Sequence, residues 1–320
     1  MINLFEVNDY KVDTSKFSNL LHDKIVREFE ENFAAYVGAK YACSANSASS
    51  LICLSNVKCP SIFEIPSIIP IVVPNAIIRS TEPKASRKAP YFLVRDNVGW
   101  VGGSYTICNS KSTGMKVIDS AQKVERGQFK NEANPKDWMI FSFYPTKPVG
   151  GCDGGMIVSD DKDAIDWFRL ATLNGTSPSH NNWERKICFA GWKMHINSIQ
   201  ADMANENLKR LDEKYEKLKR IRDIYNEALS CKNTSNHLYR IKVRNNQIFI
   251  RAMQKLGITC GIHYKAVHLN EIYSKHIFND QAFPLSDKEQ KTTASIPFHE
   301  NLGGNDLESI IEKVNEFKDI

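Results

Sequence analysis

The sequence predicts an α/β protein with a large domain followed by a smaller one. Short apolar runs of strand length alternate with amphipathic segments of helix length over residues 1–200. One long amphipathic pattern then extends from 198 to 229, and only a short mixed segment follows it. We therefore expect a large domain at 1–200 and a small C-terminal domain at 201–320 that is entered through the long helix.

The helices are predicted from apolar residues at helical spacing and from residues that favour helix ends. The segment 23–37 has this spacing and is followed by Gly38, a favourable C-cap. A second helix is expected to open at Ala48, after the polar turn 44–47. The last helix is predicted at about 306–317.

The strands are predicted from short apolar runs. Such runs lie at 116–119, 138–143, 155–159 and 238–243. The most apolar stretch, 62–78, contains three prolines, Pro66, Pro70 and Pro74. These prolines exclude a membrane helix, and they predict short buried strands that are joined by turns.

The composition is that of an ordinary globular protein. The 320 residues are 42% hydrophobic and 25% charged, which argues against disorder. The net charge of +5 comes from interleaved acidic and basic residues, without the basic stripe typical of nucleic-acid binding. The eight cysteines show no zinc-binding spacing, and the N-terminus shows no signal-peptide pattern. We expect a cytoplasmic protein with reduced thiols that binds no metal, nucleic acid or membrane.

A single lysine stands where a strand-like run ends. The stretch 141–155 reads FSFYPTKPVGGCDGG, so Lys147 separates an aromatic run from a glycine-rich turn. A partly desolvated lysine has a lowered pKa, and its neutral amine condenses with an aldehyde such as pyridoxal phosphate. That cofactor needs a carboxylate at its ring nitrogen, and Asp119 ends an upstream strand. Taken singly, Lys147 would be interpreted as a surface turn residue and Asp119 as a helix cap.

Several ordered motifs resemble one family of enzymes. They are FEENFAAYVGAKYA at 29–42, VIDSAQ at 117–122, FSFYPTK at 141–147, GWKMHINSIQADM at 191–203, GIHYKAVH at 261–268 and SIPFHENL at 295–302. Together they resemble the DegT/DnrJ/EryC1/StrS sugar aminotransferases over roughly residues 20–320. The resemblance implies the PLP-dependent transferase fold type I, which is the aspartate-aminotransferase type. This fold has a large mixed-sheet domain and a smaller C-terminal α+β domain.

The resemblance also implies roles for the residues that match the family's motifs. Lys147 would carry the pyridoxal 5'-phosphate, and Asp119 would pair with its pyridine nitrogen. Gln122, three residues after the aspartate, would lie near the ring oxygen of the cofactor. His263 and Tyr264 match the loop of the small domain that faces the substrate.

The resemblance implies a second set of residues around the cofactor phosphate. Ser142 matches a phosphate contact. The turn 46–48 replaces the family's Ser-Gly-Thr, so the backbone N–H groups of Ser47 and Ala48 would bind phosphate at a helix N-terminus, without the threonine hydroxyl. Lys193 would reach the phosphate of the neighbouring subunit in a homodimer.

Three features depart from the family's pattern. Pro70 stands at about the position of the aromatic residue that stacks on the cofactor ring. The segment 82–116 is some twenty residues shorter than the resemblance leads us to expect, which corresponds to about one strand–helix unit. His195 replaces the arginine of the motif at 191–203.

The implied activity is transfer of an amino group, from glutamate, to a keto group of a nucleotide-linked sugar. Such reactions serve amino-sugar and surface-polysaccharide biosynthesis. Retention of Lys147 favours transamination over the related sugar dehydratases, which carry a histidine at this position. Two alternatives stay open. One is a catalytically impaired homologue that binds pyridoxal phosphate or acts as a regulator, and the other is a pyridoxal-phosphate reaction on a different amine.

Overall fold

The computed structural model describes residues 1–7, 9–81, 92–110, 113–177, 182–274 and 282–320. The strands are β1 (Tyr41–Ala45), β2 (Phe63–Pro66), β3 (Phe92–Arg95), β4 (Tyr105–Asn109), β5 (Lys116–Asp119), β6 (Trp138–Ser142), β7 (Gly155–Ser159), β8 (Tyr239–Lys242) and β9 (Thr293–Ile296). The helices are α1 (Lys24–Val37), α2 (Ala48–Lys58), α3 (Val72–Thr81), α4 (Gln128–Glu132), α5 (Lys162–Thr172), α6 (Ser198–Lys209), α7 (Leu211–Ala228), α8 (Asn246–Lys255), α9 (Glu271–Ser274), α10 (Pro284–Thr292) and α11 (Gly304–Phe317).

The large domain is built on a mixed sheet. Its seven strands in the described residues have the order β1–β7–β6–β5–β4–β2–β3. The pairs β5/β6 and β2/β3 are parallel, and the other neighbours are antiparallel. Because β5 and β6 are parallel, Asp119 and Ser142 end them at the same edge of the sheet.

Helices cover both faces of this sheet. The side chains of β6 alternate between the two faces, as the two-residue period of a strand requires. Trp138 and Ile140 pack in a core with α2, α3 and α5, and Met139 and Phe141 pack in a second core with α1, α4 and α6. With both faces covered, every residue of β6 is buried, which explains its continuous apolar run.

The small domain has its own core. The antiparallel pair β8/β9 packs with α8, α11 and the second half of α7. The N-terminus joins this unit, because the N–H of Ile2 donates to Gly257 O (2.8 Å) and Thr259 N donates to Ile2 O (2.9 Å).

The predicted fold class, a mixed α/β large domain with a smaller α+β domain, is confirmed. The boundary between 200 and 201 stays a prediction.

Two predicted elements were wrong in detail. The helix predicted at 198–229 is interrupted at Arg210, which separates α6 from α7. Leu208 and Leu211 both face the large-domain core, so the apolar spacing continues across the break and hides it. The second half of 62–78 is helix α3 rather than strand. It tolerates Pro74 because the N–H groups of the first helical turn have no helical partner to lose.

Strand β4 runs antiparallel to both of its neighbours, β2 and β5. Residues 82–91 and 111–112 lie outside the described residues, but the connection 96–104 between β3 and β4 contains no helix. A parallel crossover needs a dozen or more residues, so this short connection returns β4 antiparallel to β5. The first residue of β4, Tyr105, therefore pairs with the last residue of β5, Asp119.

No helix within the described ranges combines the length and the apolar character needed to cross a membrane. A search of the same residues finds no group of three or more His, Cys, Asp or Glu side chains that could hold a metal ion.

Candidate active site

A cavity of about 540 Å³ lies between the large domain and the small domain. It opens at the edge of the sheet where β5 and β6 end, the usual position of ligand sites in open α/β sheets. The predicted site residues that line it are Ser47, Ala48, Asp119, Ser142, Lys147, His263 and Tyr264. Residues that are far apart in the sequence are thus brought to one cavity of ligand size.

Lys147 is held by the turn that follows β6. Its N–H donates to Tyr144 O (2.8 Å), and the glycine-rich loop returns so that Gly151 N donates to Phe143 O (2.8 Å). Burial lowers the pKa of the Lys147 amine to about 8, and the negative charge of Asp119 opposes this change. The amine is therefore partly neutral near physiological pH, as a nucleophile or a base must be.

Asp119 is buried, with 3% of its surface exposed, and both carboxylate oxygens accept hydrogen bonds. The Tyr105 hydroxyl donates to Oδ2 (2.5 Å), and Ala121 N donates to Oδ1 (2.9 Å). Burial raises the pKa of this carboxyl group. The two hydrogen bonds and the charge of Lys147 act in the opposite direction, in favour of the carboxylate.

The N-terminus of α2 forms one end of the cavity. The Ser47 side chain caps the helix by accepting from Ser50 N (3.1 Å), and Ser47, Ala48 and Ser49 line the cavity. The first N–H groups of a helix lack helical partners, so this end favours an anion. Strand β7 approaches it closely because Gly155 has no side chain. A Cβ at Gly155 would lie 2.4 Å from Ala48 N.

The small domain supplies the opposite wall. His263 Nδ1 lies 2.9 Å from Ser295 Oγ, and burial lowers its pKa to about 4, with the Lys147 and Arg240 charges adding to the effect. The Tyr264 ring is nearly parallel to Trp100, at 6.4 Å between centroids. Pro70, at the predicted stacking position, also lines the cavity.

Two predicted residues are not among those that line this cavity. The Gln122 side chain donates to the Tyr264 hydroxyl (2.6 Å) and accepts from Gly102 N (2.7 Å). It therefore fixes the position of Tyr264, which lines the cavity. Lys193 lies in a separate depression of about 560 Å³ on the same chain. The depression also contains His195, Arg27 and Arg185.

Three residues of the site were missed in the sequence. Tyr105 was missed because its position depends on the reversal of β4. Phe5 lines the cavity because the N-terminal segment pairs with the small domain, which no local pattern indicates. His237 also lines it, and the only signal was a histidine immediately before the predicted strand at 238–243.

A family model describes most of the C-terminal two thirds of this chain. The model of the DegT/DnrJ/EryC1/StrS aminotransferase family matches residues 110–315. The chain belongs to this family. The resemblance predicted from its motifs is therefore confirmed, and the match begins directly after β4.

Similar proteins include a transaminase, a polysaccharide biosynthesis protein and a solved structure. The chain is 25% identical over 377 residues, covering 99% of each protein, to a UDP-4-amino-4,6-dideoxy-N-acetyl-beta-L-altrosamine transaminase of Campylobacter jejuni. It is 23% identical over 349 residues to the spore coat polysaccharide biosynthesis protein SpsC of Bacillus subtilis, covering 91% of this chain and 89% of SpsC. The aminotransferase TlmJ of Streptoalloteichus hindustanus has the same fold, with a TM-score of 0.77 and 19% identity, covering 99% and 98% of the two chains.

The alignment with the Campylobacter protein is longer than this chain. It extends over 377 residues, whereas this chain has 320. The relative therefore contains segments that this chain lacks.

Replacing Gly155 by alanine tests the close approach of α2. The new Cβ would meet backbone atoms of Ser47 and Ala48 at 2.6 and 2.4 Å, so the helix N-terminus must move away. We expect a loss of about 1–3 kcal/mol in the free energy of unfolding and a Kd for pyridoxal phosphate that rises about tenfold or more. Urea unfolding and an absorbance titration measure the two quantities.

Gly304→Ala is the matched control, because a Cβ added at this glycine would have no atom within 4 Å. It should leave both quantities unchanged or slightly increase stability. Wild-type affinity and stability in Gly155→Ala would contradict the close approach at the helix N-terminus.

Proposed function

We propose that this protein is a pyridoxal-phosphate-dependent aminotransferase that moves an amino group from glutamate to a keto group of a nucleotide-linked sugar. One observation carries the proposal. The Lys147 amine, with its lowered pKa, and the buried Asp119 carboxylate face the same cavity as the N-terminus of α2. An amine, a carboxylate and an anion-binding end are the three groups that this cofactor needs.

The residues present fit pyridoxal phosphate. Ser47, Ala48 and Ser142 would hold its phosphate, Asp119 its ring nitrogen, and Lys147 its aldehyde carbon. When bound, the cofactor supplies an electron sink and carries the amino group between the two substrates. Over a full cycle, glutamate becomes its 2-oxo acid while the sugar's keto carbon becomes an amine-bearing carbon, so no oxidant or reductant is consumed.

Lys147 moves the proton in each half of this cycle. Its Nζ is free to accept a proton from the carbon that loses the amino group, because an amine with a pKa of about 8 is partly neutral at pH 7 to 8. Asp119 would hold the ring nitrogen of the bound cofactor in its protonated form, and the Tyr105 hydroxyl favours the carboxylate form of Asp119 by donating a hydrogen bond to it. The small-domain wall covers these groups and limits the access of water.

The alternative of an impaired homologue is disfavoured by the cost of this arrangement. A buried amine and a buried carboxylate both lose hydration, which costs free energy. A protein that only bound a partner would have no use for these two groups in one cavity. Pro70 in place of a stacking aromatic weakens cofactor binding by about 1 kcal/mol, typical of an aromatic pair, which is too little to abolish it.

The sugar acceptor is supported by the relatives. The Campylobacter relative is named as a transaminase of a UDP-linked amino sugar, and SpsC is named for polysaccharide biosynthesis. We propose the same class of acceptor for this chain. A neutral, partly apolar wall suits a sugar ring, and the residues that form it include Phe5, Pro70 and Val72.

A homodimer is the proposed active unit. Lys193 does not line the cavity of its own chain, and its depression is rich in cations. A lysine in such a depression would contribute to phosphate binding only in a partner's cavity. The exposed Trp183 and Ile187 lie on the segment that precedes Lys193, and this apolar surface would be covered in a dimer.

The glutamate half-reaction tests the proposed activity. Adding glutamate to the protein loaded with pyridoxal phosphate should convert its absorbance spectrum to that of pyridoxamine phosphate. Lys147→Ala should slow this conversion by about 10²–10⁴-fold, the usual contribution of a general acid–base. The exposed Lys265→Ala, beside the cavity, is the control and should convert at the wild-type rate. A spectrum that no amino donor changes would favour the binding-protein alternative.

Subunit mixing tests the shared site. Lys147→Ala and Lys193→Ala homodimers should each be strongly impaired. A heterodimer of the two variants contains one cavity that has its own Lys147 and the partner's Lys193, so its activity should exceed that of both parents. Activity that equals the average of the parents would show that Lys193 acts within its own chain or not at all.

A further inference from the structure

The imidazole of His237 is a buried polar group that the proposed reaction does not yet use. His237 is 5% exposed and lines the cavity that contains Lys147. Its backbone N–H donates to Ser235 Oγ (3.0 Å), which fixes the residue just before β8. No group in the described parts of the chain hydrogen-bonds to its ring nitrogens. Neither ring nitrogen is among the fully enclosed side-chain atoms that lack a partner in the described residues, so the imidazole is open to the cavity, where a ligand can supply its hydrogen bonds.

The orientation of this imidazole is fixed by packing. The Phe5 ring stacks on His237, with 5.6 Å between centroids and 18° between planes, and it meets His263 edge-on at 5.8 Å. Phe5 is anchored through the N-terminal segment, whose Ile2 is hydrogen-bonded to the small domain on both sides. The ring of His237 is therefore oriented before any ligand arrives, which reduces the entropy lost on binding.

The charge state of His237 limits what it can bind. Burial, followed by the positive charge of Lys147, holds its pKa well below the ordinary value for histidine. A neutral imidazole offers one donor and one acceptor and carries no charge for an anion. Glutamate and phosphate are anions, which bind better to cations. A hydroxyl group, which also donates and accepts, is the matching ligand.

The position of His237 separates it from the proposed cofactor contacts. Ser47, Asp119 and Ser142 belong to the large domain, whereas His237 belongs to the opposite wall with His263 and Tyr264. We propose that His237 contacts the substrate and hydrogen-bonds a hydroxyl group of the sugar acceptor. This inference rests on the proposed aminotransferase function and adds a residue that selects the acceptor over the amino donor.

His237→Phe tests the proposal, because phenylalanine keeps an aromatic ring against Phe5 but forms no side-chain hydrogen bond. In the cofactor-loaded enzyme we expect the KM for the keto sugar to rise about tenfold. The affinity for pyridoxal phosphate and the rate of the glutamate half-reaction should stay unchanged. His237→Asn keeps a donor and an acceptor, so it should recover most of the loss.

Two further variants distinguish a direct contact between His237 and the sugar from an indirect effect on the surrounding structure. Phe5→Leu loosens the imidazole without altering its chemistry, so it should raise the KM by a smaller factor than His237→Phe. His268→Phe makes the same change at a histidine that does not line the cavity and lies 2.9 Å from Asp287 Oδ1. This control should leave the KM unchanged. If His237→Phe slowed the glutamate half-reaction and the sugar half-reaction equally, the proposal would be overturned, because His237 would then act by positioning Lys147.

Direct titration provides a readout that does not depend on turnover. The probes are UDP-4-amino-4,6-dideoxy-N-acetyl-beta-L-altrosamine, the amino sugar in the name of the Campylobacter relative, and UDP alone. We expect His237→Phe to bind the amino sugar about tenfold more weakly and UDP as the wild type does. The proposal would be overturned if the wild type and His237→Phe bound the amino sugar equally, or if the wild type did not bind it. It would also be overturned if His237→Phe lost as much affinity for UDP as for the amino sugar. Failure of the aminotransferase function would appear separately, as a wild-type spectrum that does not respond to glutamate.

Discussion

The enclosure of the Lys147 amine beside the Asp119 carboxylate is the constraint on which the rest of the structure depends. Both groups lose hydration, and each lowers the cost of burying the other. The parallel pairing of β5 and β6 brings them together, because Ser142 and Asp119 end neighbouring strands and Lys147 follows after one turn. The small domain, held against this edge, provides the burial that lowers the pKa of the amine.

The short connection 96–104 before β4 contributes to the same constraint. Since β4 runs antiparallel to β5, its first residue meets the last residue of β5, and the Tyr105 hydroxyl reaches the Asp119 carboxylate. A parallel β4 would begin at the far end of β5. This antiparallel strand therefore provides a hydrogen bond that favours the anionic form of a buried carboxyl group.

The sequence predicted what depends on local pattern and on motifs. The helix 23–37 was predicted from apolar residues at helical spacing and from Gly38 at its end. The place of Lys147 and Asp119 in one site was predicted because an amine and a carboxylate stand at the ends of two predicted strands. The break at Arg210 was hidden because the apolar pattern continues across it. Tyr105, His237 and Phe5 were missed because their places are set by strand direction and by contact between the N-terminus and the small domain. Such contacts between distant segments leave no local signal.

The pKa of the Lys147 amine in the protein without cofactor tests this account most directly. Labelling lysine with ¹³C at Cε, and assigning the signal that disappears in Lys147→Ala, allows the titration to be followed by NMR. The account predicts a pKa of about 8, and a lower value in Asp119→Asn, because the carboxylate charge raises it. A pKa near the ordinary lysine value of 10.5, unaffected by Asp119→Asn, would contradict it.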